Sequence, residues 1–174
     1  MSAASDSSSL ASLQVELETL RAEVKSLHAE RVEKAAHQVL HERYQQSQVR
    51  FRTVFENSPL GHKIIDANLR IRQANWALAQ MLGLGSPHEL EGRRILEFAH
   101  PQHYADGNEL QQRLWTHQLP HFSLETRLVR PDGTSFWCQV TSVVFHDEAR
   151  QLGYTTLEDI SAREQAEEIG RAHV

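Results

Sequence analysis

The sequence predicts an α+β protein in which a long coiled-coil helix precedes a five-stranded antiparallel sheet with flanking helices. Three observations predict it. Apolar residues recur in alternating steps of three and four from Leu10 to Leu27, the heptad spacing of a coiled-coil seam. No Pro or Gly occurs between Leu10 and Ser58, so one helix is free to run to about residue 56. Beyond it, alternating apolar and polar stretches separated by turn signals follow the order strand, strand, helices, strand, strand, strand, which closes into an antiparallel sheet.

Each element has its own cause. Residues 1–9 are rich in Ser and Ala and read as a disordered tail. The seam is Leu10, Leu13, Leu17, Leu20, Val24 and Leu27, flanked by Glu16, Arg21 and Glu23. At the next seam position stands Arg31, and Val32, Ala36 and Val39 continue one residue late. That is a register discontinuity, which changes supercoiling locally. A helix with so narrow a stripe needs a partner, so residues 10–50 are expected to pair two copies in a parallel homodimer. The globular part spans 51–158. Asn57-Ser58-Pro59-Leu60-Gly61 breaks the helix, a first strand covers 62–66, Ala67-Asn68 turns, and a second strand covers 69–73. Asn75 caps a short helix from Trp76 that ends at Gly83, and Ser86-Pro87-His88-Glu89 has capping-box spacing. Short helical pieces follow to Phe98, and Pro101 opens a longer helix reaching about His117. The third strand ends at the turn Pro131-Asp132-Gly133, the fourth covers 135–145, and the last covers 151–158. On the fourth strand both Phe136, Cys138, Val140 and Val144 and the opposite set Trp137, Val143 and Phe145 are apolar. Both faces are therefore expected to be covered, one by internal helices and the other by the N-terminal helix or a second subunit.

The chain ends in a junction. A strand-like run passes through Asp159-Ile160-Ser161-Ala162-Arg163-Glu164 into a helix over 159–168. Asp159 and Ser161 are N-cap types, Ser161 and Glu164 have capping-box spacing, and Asp159 and Arg163 stand four apart, the spacing of a helical ion pair. Taken with Phe51-Arg52-Thr53-Val54-Phe55-Glu56-Asn57-Ser58-Pro59, Asn75, Glu89-Leu90-x-Gly92-Arg93 and Arg130-Pro131-Asp132-Gly133-Thr134, this junction resembles PAS sensor domains over about residues 51–164. The whole is similar to the sensory part of a bacterial sensor histidine kinase. The resemblance implies a PAS fold whose terminal Asp159, Ser161 and Arg163 pass a change in the sheet to an outgoing helix and an output domain beyond it. The final string, residues 169–174, resembles the translation of a sequencing-adapter read-through, so it is expected to be non-native and the gene record truncated.

Bulk properties and motifs exclude several classes. A net charge of −5 leaves no basic footprint for nucleic acid. No apolar run reaches the length of a membrane span, and the first residues lack the order of a signal peptide. The single cysteine, Cys138, excludes an internal disulfide and suits a reducing cytoplasm. No phosphate loop, Gly-x-Ser-x-Gly or His-Glu-x-x-His motif occurs, and no kinase catalytic motif is present. No catalytic residue is therefore assigned.

The resemblance bears on cofactors as well. Flavin-binding light sensors of the family carry a reactive Cys where this chain has Ile95, and a flavin-contacting Gln where it has Leu157. Haem-binding relatives use a His on the long internal helix; here His100 and His103 lie at its start, and His117 and His121 at its end. His37 and His41 share a face of the N-terminal helix without an acidic third ligand, the pattern of a solvated face. No metal site is assigned, and no cofactor is supported by motifs. A pocket between sheet and helices is expected to be lined by Leu78, Met81, Leu82, Ile95, Phe98, Leu114, Phe136, Cys138 and Val140, filled by its own side chains in the preferred reading and holding a small molecule in the other. Three functional readings follow: a sensory and dimerisation module of a signalling protein, a stand-alone dimerisation adaptor, and a haem- or flavin-dependent sensor.

Overall fold

The computed structural model describes residues 2–173. It divides into two units, residues 1–51 and 52–174. Helix α1 (Ser2–Asn57) accounts for all the described residues of the first and opens the second. It begins at Ser2, so the stretch expected as a disordered tail is helical. The seam residues Leu10, Leu13, Leu17, Leu20, Val24 and Leu27 are all exposed.

The second unit is a five-stranded antiparallel sheet with helices on its inner face. Its strands are β1 (Gly61–Ile65), β2 (Ile71–Ala74), β3 (His121–Val129), β4 (Ser135–Asp147) and β5 (Arg150–Asp159), in spatial order β2-β1-β5-β4-β3. Between β2 and β3 lie α2 (Trp76–Met81), 3-10 turns at Pro87–Leu90 and Ile95–Phe98, and α3 (Tyr104–Trp115). Helix α4 (Ser161–Ala172) follows β5 and continues through Gly170. The β3–β4 hairpin turns at Gly133, whose φ of 88° suits a residue without a Cβ. Asp132 Oδ1 accepts from the Thr134 amide at 2.8 Å and steadies that turn.

Strand alternation sorts the residues. Phe136, Cys138, Val140, Leu157, Ile65, Leu128 and Phe122 face the helices and form the core with Leu78, Leu82, Leu90, Phe98 and Leu114. The opposite set on β4 is less covered than expected from its composition. Trp137, Gln139, Thr141 and Phe145 are half-buried, and Val143 is exposed. At the edge strand β3, Ala99 pairs with Leu128 and the His100 amide donates to the Arg127 carbonyl at 2.9 Å. This fastens the entry to α3 against the strand and covers its outer hydrogen-bonding edge.

Candidate functional site: an internal cavity and the output junction

The end of α1 is locked to the core by one residue. Asn75 is fully buried and caps α2 by accepting from the Leu78 amide at 3.1 Å. Its Oδ1 also accepts from the His62 amide at 2.8 Å, while its Nδ2 donates to the carbonyls of Phe55 and Leu60 at 2.8 and 2.9 Å. The last turn of α1, the turn after it, β1 and α2 therefore meet at one side chain whose four bonds have no water to replace them. Beside it, His62 stacks between Phe55 and Tyr154, and its ring nitrogens reach the Tyr154 hydroxyl at 3.0 Å and the Ser58 hydroxyl at 2.7 Å. Burial pushes the His62 imidazole below its ordinary value and the Tyr154 phenol above it.

On the inner face of β1, between Gly61 and Ile65, stands Lys63, fully buried. Its ammonium donates to Thr155 Oγ1 at 3.1 Å, and that hydroxyl bonds Ser142 Oγ at 2.8 Å. Among the described residues no carboxylate lies within ion-pair distance of it. Burial lowers its pKa from 10.5 to about 7. Cys138 is itself buried and its thiol is pushed up to about 12 by that burial, so it stays a neutral, unreactive core residue.

The nine side chains expected to line a pocket lie in or against the core. Leu78, Leu82, Phe98, Leu114, Phe136, Cys138 and Val140 are buried, and Met81 and Ile95 pack on them. A cavity of ≈ 40 Å³ lies beside them, between the second 3-10 turn, α3 and β3–β4, and only Ile95 and Val140 of the nine line it. Its other walls include Leu96, Ala99, Phe122, Leu124, Thr126 and Leu128, together with His103, which precedes α3, and Gly107 and Gln111 within it, spaced at i, i+4 and i+8. Gln111 is 4 % exposed, and its Oε1 has no hydrogen-bond partner. Of the histidines considered for haem, His103 is thus the one in the cavity wall. His117 bonds Gln151 at 2.7 Å, His121 is exposed, and His37 and His41 lie exposed on α1. A space this size does not admit a haem. Among the described residues no cluster of three or more His, Cys, Asp or Glu is placed to hold a metal, and no helix is long and apolar enough to cross a membrane.

His103 leads from the cavity to the chain's end. Its ring meets Trp137 edge-on with centroids 5.5 Å apart, and Trp137 also lies under the Arg127 guanidinium. The Trp137 backbone holds the start of α4 from both sides: its amide donates to Ser161 Oγ at 3.1 Å, and its carbonyl accepts from the Ile160 amide at 2.9 Å. Asp159 Oδ1 accepts from the Ser161 amide at 2.9 Å, an Asx turn that shapes the exit from β5. The four-residue spacing of Asp159 and Arg163 suggested a pair, but Arg163 bonds Glu125 of β3 instead. Ser161 likewise spends its hydroxyl on β4 rather than on a capping box. The two changes have one cause: α4 is tied across the sheet, not only to the strand it continues. The helix has no buried residue, and a groove of ≈ 810 Å³ separates its inner side from the start of β4.

Comparison with known proteins agrees with this architecture. The PAS domain of an HTR-like protein from Haloarcula marismortui is 24% identical with a TM-score of 0.57, over 71% of this chain and 99% of that one. The PAS domain of a LuxR-family transcriptional regulator from Burkholderia thailandensis, solved in complex with ethanol, is 24% identical with a TM-score of 0.52, over 64% and 97%. A PAS domain from a two-component sensor histidine kinase is 16% identical with a TM-score of 0.52, over 65% and 98%. These likenesses are of fold. No curated protein matches the sequence. The PAS fold family matches residues 49–157, well over half the sequence, and the chain belongs to that family.

Proposed function

We propose that the chain is the sensory and dimerisation module of a signal-transduction protein, a sensor histidine kinase, in which the state of the PAS core is passed to α4 and on to an output domain. The observation that carries this reading is the path from cavity to helix. His103 forms cavity wall on one side and touches Trp137 on the other, and Trp137 holds both the Ile160 amide and the Ser161 hydroxyl. A displacement of the α3 entry therefore bears directly on the residue that aims α4. Because α4 buries no residue, its direction is set by these few bonds and by Arg163 with Glu125. Such a helix re-aims at small energetic cost, as a two-state output element must. PAS neighbours from a sensor histidine kinase and a LuxR-family regulator support the sensory role, and the ethanol complex of the latter supports an interior that takes a small molecule. The exposed seam of α1 supports a homodimer.

The test is a fusion of this chain, through α4, to a histidine kinase catalytic core with a measurable basal autophosphorylation rate. Asp159→Ala removes the bond to the Ser161 amide, a loss of about 1 kcal/mol, the net worth of one such hydrogen bond. It should abolish the difference in rate between the ligand-free and ligand-saturated fusion while the melting temperature stays within a few degrees. Unchanged regulation would count against the junction as transmitter.

A further inference from the structure

We propose that Lys63 is a proton switch in the PAS core: its change of charge reorders the hydrogen bonds that join the three central strands, and the change reaches the start of α4. The inference rests on the sensor reading for its consequence and adds the proton as an input of the core. Lys63, Thr155 and Ser142 are all buried and stand side by side across β1, β5 and β4 as register partners. The bonds run from Nζ to Thr155 Oγ1 and from there to Ser142 Oγ. One proton sets the direction of this chain. An ammonium only donates, so Thr155 accepts from it and turns its own hydrogen to Ser142. An amine has a lone pair that accepts from Thr155, and Ser142 then donates to Thr155. The ammonium also places a full charge where, among the described residues, no carboxylate lies within ion-pair distance. The titratable side chain that this charge reaches is Cys138 of β4, which its own burial keeps neutral. On β2 the register partner of Lys63 is Ala74, and the residues that α2 and α3 bury are Leu78, Ala79, Gln111 and Leu114, none of which titrates. His62 and Tyr154, next to Lys63 and Thr155 in the chain, stack together on the opposite face, and His103 stands in the wall of a cavity that Lys63 does not line. The route out is short. Strand β5 carries Thr155 on to Asp159, and β4 leads from Ser142 back to Trp137, the two residues that hold the start of α4. Burial brings the exchange to about pH 7, with the ammonium below it and the amine above.

The full chain, labelled with carbon-13 and nitrogen-15, is titrated from about pH 5 to 9 while NMR follows the Lys63 Cε and the backbone amides of Trp137 and Ser161. Lys63 should titrate at about 7, and both amides should shift with the same midpoint. Histidines titrate in this window too, so the imidazole signals of His62 and His103 are followed in the same spectra. In Lys63→Met the shifts of the two amides should be lost while the imidazole titrations remain. In Thr155→Val, Lys63 should still titrate but the two amides should no longer follow it, which keeps the test intact should the methionine variant fail to fold. A Lys63 midpoint above about 9, amides that stay flat through the Lys63 titration, or shifts that persist in either variant would overturn the proposal. Amides that follow Lys63 while Asp159→Ala leaves the kinase fusion normally regulated would uphold the switch and count against the junction alone, so the two ideas fail separately.

Discussion

Lys63 is the residue at which the core departs most from what an apolar interior prefers. Its lowered pKa makes folding stability depend on pH in a direction that can be worked out. The unfolded lysine titrates near 10.5 and the folded one near 7, so between these values the unfolded chain binds more protons. Stability therefore rises with pH across that window and is lost as pH falls from about 10 to 7, with a slope of up to about 1.4 kcal/mol per unit. Lys63→Met should flatten this slope and raise stability at pH 7 by about 2–4 kcal/mol. Urea unfolding at several pH values checks it; a wild-type stability flat from pH 7 to 10 would contradict the lowered pKa of Lys63. The residue was hidden in the sequence for a physical reason. A strand of five residues can face either way, and which parity is inward depends on pairing with β5, far along the chain. The signal available was that Lys63 alternates with Gly61 and Ile65, both of which pack inward. Asn75, by contrast, was readable as a helix cap from its neighbours alone. Its bonds to Phe55, Leu60 and His62 were not, because they depend on where the end of α1 lies.

Among the elements, the order of strands and helices along the chain follows directly from alternation and turn chemistry, because these are local properties. The connections of α4 are not local. Arg163 and Glu125 are 38 residues apart in the chain, and only the placement of β3 brings them together, so spacing within the helix pointed to Asp159 instead. Residues 2–9 show the opposite effect: their composition favours a tail, yet they join α1 without an intervening breaker. The seam of α1 leads to a prediction at this scale. Replacing Leu17 and Leu20 with Asp puts unpaired charge into the proposed interface. In sedimentation at low micromolar concentration the wild-type chain should be dimeric and the double variant monomeric, with the PAS core still folded because the two positions lie outside it. A double variant that remains fully dimeric would place the main interface elsewhere.

For the whole molecule, the central claim is that occupancy of the core re-aims α4 through His103 and Trp137. The chain lends itself to a direct measurement, since its one native thiol is buried and unreactive. A spin label on Ala166→Cys therefore reports on α4 alone, and in the proposed dimer the distance between the two labels can be read by pulsed EPR. Gly107→Val fills the cavity from the α3 side and stands in for a bound ligand. It should shift the mean inter-label distance by about 2 Å, the scale of helix displacements in signalling transitions. Adding His103→Ala, which removes the edge contact with Trp137, should return the distance to its value in the labelled chain without the other changes. A distance that does not respond to Gly107→Val, or a shift that persists without the His103 ring, would contradict the account.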